Sequence, residues 1–501
     1  MARLRSAAAA RPLVALLVLG GLLRGLAAIF SQGFLASDDH HVLVGAADQL
    51  AGGLALPITY QRSILYPGAV AAIMATARAA GLQDPGVEML LVRLAQAAYS
   101  LFAIYFVFRI LERAVGRDTA VVGGMLTAAF FAMPVTAVHQ LEEVVCQVPL
   151  LAAFRWWQRA EDGGHGSQPN AWALLAGVAL GLALLLRLPL IGFVIPFTVL
   201  VLLRPVAPLR RIAFITGLAT VIVLQGYSNV AVNHQWGYTF IQRLGPMLRP
   251  HDLALDAGGY PSSPPWHYVF TLLAAFVPPF SVLFLAAAVQ GARRLPILGL
   301  ATAGFFVAHS LVANKQERFL LPVVPVLLLL GAAGLPWIAG GGAWPRAYRG
   351  LWRYFWVVNG ALLVVLTFSF AKKDRVAPLL YIYRRHDATG VAVAQYNQTF
   401  HVPEYYLGRP RPPLFVWQAR EQAVADARVN YVVLYSDQPE PDREQLADAL
   451  RSELTLLTVI PPSLADRLAH AINPRHNKAR TAMIFRATPI DSSGTRTSAR
   501  P

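Results

Sequence analysis

The stretch Pro12–Phe30 reads PLVALLVLGGLLRGLAAIF and carries one charge, Arg24. A helix needs about 17–25 apolar residues to cross the hydrocarbon of a bilayer. The run has that length, and Arg3, Arg5 and Arg11 stand before it. A signal peptide cut near Ala36-Ser37 is the other reading. The length of the run favours a first membrane span that starts on the cytoplasmic side.

Similar runs recur along the chain. The composition agrees: 56% of the 501 residues are hydrophobic and only 14% are charged, whereas soluble domains carry about a quarter charged residues. Spans are expected at about 12–30, 88–108, 119–135, 143–158, 170–186, 189–203, 212–231, 267–289, 296–312, 319–337 and 353–370. The fold class is therefore an all-α polytopic membrane protein with about eleven transmembrane helices. Pro149 is expected to kink the fourth span. The apolar stretch 64–80 is expected to lie as a helix on the outer surface, because counting it as a span would invert everything after it.

Charge fixes the orientation. The inner loops then hold Arg109, Arg113 and Arg117; Arg155 and Arg159; Arg204, Arg210 and Arg211; Arg293 and Arg294; and Arg346, Arg349 and Arg353. The outer loop 134–142 holds no Lys or Arg. This is the positive-inside pattern. It accounts for much of the excess of 43 Lys+Arg over 27 Asp+Glu, a net charge of +16. A lipid bilayer, and no nucleic acid, is the expected partner of that charge. The single cysteine, Cys146, excludes an intrachain disulfide and a multi-cysteine metal site.

Two outer segments are long, about 31–87 and 232–266. They belong to a transmembrane domain of residues 1–370. Residues 371–488 have ordinary polarity and read as a small extracytoplasmic α/β domain. A buried strand is expected at 429–435 and a polar helix at 439–454. The tail 489–501 is expected to be disordered. The Ala/Arg/Gly/Pro-rich usage points to a bacterial source with a GC-rich genome. The membrane would then be the plasma (inner) membrane, with the N-terminus cytoplasmic.

Charge near bilayer depth is costly and usually has a reason. The membrane-proximal charges outside the basic inner loops all fall on the outer side. Asp38 and Asp39 follow the first span, and Arg24 lies in its outer half. Arg62-Ser-Ile-Leu-Tyr66-Pro opens the surface helix. Glu142 and Glu143 begin the fourth span, and Arg187-Leu-Pro lies between spans five and six. Asn314-Lys315-Gln-Glu317-Arg318-Phe319 makes the turn between spans nine and ten. Each has a plain structural explanation: snorkelling for the arginines, a helix N-terminus for the glutamates, a solvated turn for the rest. Asp38-Asp39-His40-His41 has no spacing that defines a metal. Together, however, a carboxylate base and several cations at one membrane face suit a lipid-linked phosphate substrate and a hydroxyl nucleophile.

These residues resemble the GT-C-type glycosyltransferases, above all the dolichyl-phosphate-mannose-dependent mannosyltransferases of GPI-anchor and N-glycan assembly. That family carries an Arg in the outer half of the first span followed by His-Pro-Asp-Glu. This chain has Arg24 and then Ala36-Ser37-Asp38-Asp39. The family's Arg-Ser-aromatic-Leu/Ala-Tyr-Pro is similar to Arg62-Ser63-Ile64-Leu65-Tyr66-Pro67. Its His-Lys-Glu-x-Arg-Phe turn is similar to Asn314-Lys315-Gln316-Glu317-Arg318-Phe319. The His and Pro before Asp38 are missing, Glu is replaced by Asp39, and the turn His by Asn314.

The resemblance implies an inverting transfer of a hexose, with mannose the first candidate, from a polyprenyl-phosphate donor to a hydroxyl of a glycolipid or glycan. Asp38 would be the base, aided by Asp39. Arg62, Arg187, Lys315 and Arg318 would hold the donor phosphate. Arg24, Tyr66, Glu142, Glu143 and Glu317 would support the acceptor or the site. No cofactor or divalent metal is expected. Protein O-mannosyl transfer, aminoarabinose transfer, and a lipid or oligosaccharide flippase or transporter are the alternatives.

Overall fold

The computed structural model of the chain describes residues 11–37, 40–163, 168–247, 263–312, 314–339, 344–397, 399–418, 426–472, 474 and 477–490. Asp38, Asp39 and most of the expected disordered tail lie outside them.

Each of the eleven apolar stretches carries a helix. Among the described residues six helices are long and apolar enough to cross a membrane: Pro12–Phe30, Pro85–Ala114, Pro169–Leu186, Pro208–Asn233, Glu317–Ile338 and Tyr348–Thr367. The pair His267–Ala275 and Phe280–Arg294, bent by 110°, passes the same test together, as a broken span or a re-entrant loop. Length and composition thus single out fewer crossings than eleven. The other stretches hold shorter helices: Arg117–Ala129, Gln147–Asp162, Leu188–Leu203 and Pro296–Leu311. Sixteen residues of helix rise only about 24 Å, against a hydrocarbon core about 30 Å thick.

The bend replaces the straight eighth span expected at 267–289. Pro278 and Pro279 follow the first of its two helices. Neither can donate a backbone bond, and each pushes its predecessor out of helical geometry. The expected fourth span is interrupted at Cys146, between the helical turn Glu142–Val145 and the helix Gln147–Asp162 that carries Pro149. Pro149 falls in the first turn of Gln147–Asp162, where its missing N–H would have had no helical partner.

The chain forms two compact units. The first comprises Met1–Ala27, Gly53–Ala69 and Leu94–Thr367. Its helices approach through small residues, as lipid-embedded helices do. A Cβ on Gly177 would sit 1.9 Å from the Phe214 carbonyl oxygen, and one on Gly217 would sit 2.2 Å from that of Leu174. Gly291 and Gly334 play the same part between Phe280–Arg294 and Val324–Ala339. Phe130, Phe276, Phe280, Phe284 and Phe355 form an aromatic cluster in the core. Outward, Val14, Val18, Leu22 and Leu26 make an exposed stripe along the first helix. An apolar stripe at a spacing of four residues, left uncovered by protein, is a lipid-facing surface. The chain is a multi-span membrane protein.

The second unit comprises Ala28–Gly52, Val70–Arg93 and Phe368–Pro501. Strands β1 (Gln32–Gly33) and β2 (Phe370–Ala371) pair in parallel. The main sheet contains β3 (Val391–Gln395), β4 (Leu414–Trp417), β5 (Tyr431–Tyr435), β6 (Ser452–Ile460) and β7 (Ala482–Pro489) in the order β4-β3-β5-β7-β6. The first three strands in that order are parallel and the last two antiparallel to their neighbours. β3 and β5 are buried at every residue, which is why they read as continuous apolar runs. β5 falls within the expected strand 429–435. The expected polar helix ends earlier, at Pro439–Leu450, before an αL residue, Arg451, that lets the chain turn into β6.

Candidate active site

The site is built in the first unit on Glu142 and Glu143, which open a single helical turn, Glu142–Val145. Both are almost completely buried, at 2% and 0% exposed. A buried carboxylate is tolerated only if paired. Here guanidiniums from four separate segments converge on the two.

Arg62, just before the helix Leu65–Ala79, places Nη1 3.2 Å from Glu142 Oε2. Arg187, between Pro169–Leu186 and the 3-10 turn Leu188–Leu190, reaches both carboxylates. Its Nη2 is 3.0 Å from Glu143 Oε1 and its Nη1 is 3.7 Å from Glu142 Oε2. Arg243, on the helix Tyr238–Met247, lies 3.9 Å from Glu142 Oε2. Arg318, on the 3-10 turn Glu317–Val323, lies 4.0 Å from Glu143 Oε1 and donates at 2.7 Å to Gln316 Oε1. The Phe319 ring sits beneath the guanidiniums of Arg187 and Arg318, at 5.2 and 5.4 Å.

Four cations thus face two anions in a buried place. The carboxylates orient the guanidiniums. Arg243 and Arg318 are the more open of the four, with side chains 23% and 15% exposed against 9% and 6% for Arg62 and Arg187.

The surroundings hold this constellation in place. Gln147 donates to the Leu321 carbonyl at 2.7 Å, tying the helix Gln147–Asp162 to the turn that carries Arg318. Asn233 donates to the carbonyls of Ile58 and Tyr60, fixing the loop that leads to Arg62. Gln96 donates to the Tyr66 hydroxyl at 2.7 Å and to the His139 carbonyl at 3.3 Å, and Gln140 donates to Gln96. Tyr66 is a buried member of this scaffold.

The other residues singled out in the sequence are placed differently. Arg24 is fully buried and does not snorkel. Its Nε donates to Ser100 Oγ at 2.8 Å, and its Nη atoms donate to the carbonyls of Thr127 and Ala128 at 3.0 and 3.2 Å. These carbonyls lie at the C-terminal end of the helix Arg117–Ala129 and have no helical N–H to accept from. The Lys315 ammonium donates to the carbonyls of Ser263 and Val312 at 2.9 and 2.5 Å, and burial holds its pKa below the usual lysine range. It is no part of the ion-pair cluster. Glu317 is exposed.

Arg243 escaped the sequence reading. It lies in the segment 232–266, whose Gly/Pro/aromatic character hid the helix Tyr238–Met247. The one available signal was its being one of two arginines, with Arg249, in a segment that holds four charged residues in all.

Asp38 and Asp39 lie outside the described residues, but their neighbours are held within the second unit. Ser37 Oγ accepts from Arg375 Nη1 at 3.0 Å. The His40 ring is stacked against Phe34 at 4.4 Å and Tyr406 at 5.5 Å. Arg375 and Arg480 lie over the Phe400 ring at 4.6 and 4.7 Å, and Arg480 pairs with Asp374 at 3.5 Å. Burial lowers the Arg375 pKa to about 10 and raises that of Asp374 against the pull of both arginines.

A second network in this unit also had no signature in the sequence. Asp48 receives Arg78, Arg409 and Arg411 at 2.7–2.9 Å. Arg78 also binds Glu88, which accepts from the Tyr405 hydroxyl at 2.9 Å. Burial would raise the Asp48 pKa, but the hydrogen bonds from Arg409 and Arg78, with the charge of Arg411, hold it below its ordinary value. Among the described residues no group of three or more His, Cys, Asp or Glu side chains gathers to hold a metal.

Comparison with known proteins bears on this geometry. The family model described as dolichyl-phosphate-mannose-protein mannosyltransferase matches residues 53–230, the span that holds Arg62, the two glutamates and Arg187. The Alg9-like mannosyltransferase family matches residues 257–405, which hold Lys315 and Arg318. Among solved structures, ArnT from Cupriavidus metallidurans in the apo state superposes with a TM-score of 0.59 at 15% identity, covering 95% of this chain and 98% of that one. The same protein bound to undecaprenyl phosphate gives 0.58 at 14%, covering 94% and 97%. The Archaeoglobus fulgidus oligosaccharyltransferase tethered to an acceptor peptide gives 0.51 at 10%, covering 89% and 73%. The fold is the GT-C fold. With both family matches lying in mannosyltransferases, the chain is a membrane glycosyltransferase of the GT-C type.

Proposed function

We propose that the chain transfers a hexose, with mannose the first candidate, from a polyprenyl-phosphate donor to a hydroxyl of a glycolipid or glycan, with inversion, at the outer face of the membrane. The observation that carries this reading is the convergence of Arg62, Arg187, Arg243 and Arg318 on the buried pair Glu142–Glu143.

In this reading the donor phosphate pairs with Arg318 and Arg243 at the open side of the cluster. Arg62 and Arg187 stay locked by the glutamates and add fixed positive charge. As the bond from the anomeric carbon to the phosphate oxygen breaks, negative charge grows on the phosphate. Guanidiniums already oriented by carboxylates stabilise that charge without reorganising. A phosphate leaving group needs little protonation, so one carboxylate suffices as base. Asp38 takes the proton of the acceptor hydroxyl, which attacks the opposite face of the sugar through an oxocarbenium-like transition state. Asp39 and Glu317 serve the acceptor or the base. The scheme neutralises charge with arginine and calls for no divalent metal. The arginine-rich short loops support a cytoplasmic N-terminus and an extracytoplasmic C-terminal region in the plasma membrane.

A second reading has its own support. The match over residues 53–230 is to protein mannosyltransferases, so a protein hydroxyl is the alternative acceptor. Aminoarabinose transfer is compatible with the same fold. A flippase or transporter is the weaker rival, since transporters place their polar sites at the bilayer midplane.

The deciding experiment incubates the purified protein with radiolabelled polyprenyl-phosphate-mannose and offers glycolipid and peptide acceptors side by side. Transfer to glycolipid with inversion, lost in Asp38→Asn while donor binding persists, is the expected result. Full activity in Asp38→Asn would remove the base assignment, and a retained anomeric configuration would remove the single-displacement mechanism.

A further inference from the structure

The second unit contains a cavity of about 700 Å³ that none of the residues above explains. That volume is in the range of small-molecule sites. Its walls are mostly apolar and include Met89 and Leu90 at the start of the helix Pro85–Ala114, and Val376 and Leu380 on the helix Lys373–Tyr383. Three arginines also line it, Arg93, Arg384 and Arg385, and no Asp or Glu does.

Two of the arginines have partners. Arg384 Nε is 3.2 Å from Asp84 Oδ2, and Arg385 donates to the Tyr381 hydroxyl and stacks on its ring at 4.8 Å. Arg93 is different. It is only 6% exposed, and its Nε is buried without a hydrogen-bond partner among the described residues. A buried N–H left without a partner costs about 1–3 kcal/mol. Here it belongs to a cationic side chain that lines an apolar cavity large enough for a ligand, and a bound anion would satisfy it.

We propose that this cavity is a binding site for an anionic amphiphile. The anionic head, a phosphate or similar oxyanion, pairs with Arg93, and its apolar body lies along Met89, Leu90, Val376 and Leu380. The site shares no residue with the arginine–glutamate cluster assigned to the donor phosphate. It would therefore bind its ligand whether or not the proposed sugar transfer is correct.

The test uses the full-length protein in neutral detergent, with titration calorimetry and thermal melting. The probes are dihexanoyl phosphatidic acid, dihexanoyl phosphatidylcholine and inorganic phosphate. Phosphatidic acid is expected to bind at least tenfold more tightly than either other probe and to raise Tm. Arg93→Met is expected to abolish that preference while melting no lower than wild type without lipid, because it removes a buried Nε–H that has no partner among the described residues. Leu380→Trp, which fills the cavity, is expected to weaken phosphatidic acid at least tenfold. Arg467→Gln, at an exposed position away from the cavity lining, is expected to change nothing.

Phosphatidic acid binding that survives both Arg93→Met and Leu380→Trp would assign it to another site and overturn the proposal. So would a failure of wild type to bind it. Equal affinity for inorganic phosphate would remove the apolar half of the site. A marked loss of stability in Arg93→Met would show that Arg93 serves the fold instead.

Discussion

Arg187 Nη2 lies 3.0 Å from Glu143 Oε1, with the Glu143 side chain wholly out of solvent and that of Arg187 6% exposed. Breaking a buried pair by removing one partner typically costs about 3–5 kcal/mol, because the other charge stays behind. Glu143→Ala is therefore expected to lower Tm strongly in detergent. A loss below about 1 kcal/mol would mean that Glu142, 3.7 Å from Arg187 Nη1, holds the guanidinium by itself.

Arg318 is one of the two more open guanidiniums and touches its carboxylate only at 4.0 Å. Its removal should leave the fold intact and fall on the reaction. Arg318→Ala is expected to reduce kcat/KM for the donor by about 10²–10³-fold, the usual effect of deleting one preorganised charge-stabilising donor. Arg318→Lys should recover part of it. Steady-state kinetics with polyprenyl-phosphate-mannose measures both, and unchanged kcat/KM in the alanine variant would take Arg318 out of the site.

Arg24 behaves as a helix anchor. Arg24→Ala frees two helix-end carbonyls and the Ser100 hydroxyl in a buried place, where each charged hydrogen bond is worth about 1.5–3 kcal/mol. The variant should be poorly stable, while the protein that remains folded keeps its donor KM. A normal Tm combined with a raised donor KM would point to a substrate contact instead.

Asp48 gives the second unit a pH dependence of definite sign. Its folded-state pKa lies below the ordinary 3.8. Its contribution to stability is therefore complete above the unfolded pKa and is lost as pH falls through the folded value. Asp374, raised by burial, acts in the opposite sense. Its contribution is present below 3.8 and is lost as pH rises through its higher folded value. Melting curves from pH 3 to 6 should show the acid-side slope flatten in Asp48→Asn. An unchanged slope would assign the acid sensitivity to other carboxylates.

Arg375 holds Ser37, the residue before the proposed base Asp38. As a positioning residue it should affect turnover more than donor affinity. Arg375→Ala is expected to lower kcat by tenfold or more with donor KM unchanged, and Arg375→Lys to restore part of the rate. A change confined to KM would argue against this role.

The membrane class, the helical stretches and the buried strand β5 were legible in the sequence because each is a local pattern. Apolar runs of sufficient length, arginines in short loops and a β-branched run carry their meaning within a few tens of residues. Arg62, Arg187, Arg318 and the glutamate pair stood out in the sequence as charges beside apolar runs, and the structure brings them together. Their pairing was not legible. Arg62 meets Glu142 across 80 residues of sequence, and nothing local says which of several cations a buried carboxylate will choose. The same reason hid Arg243, the partners of Asp48 and the anchoring of Arg24, whose acceptors Thr127 and Ala128 lie more than 100 residues away. Apolarity alone did not separate a long helix from a shorter one such as Gln147–Asp162, nor a straight helix from a pair bent at Pro278-Pro279. The sequence determined which segments avoid water and which residues carry charge among them. Only the tertiary structure decided which charges meet, because burial forces each one to find a partner wherever packing brings one near.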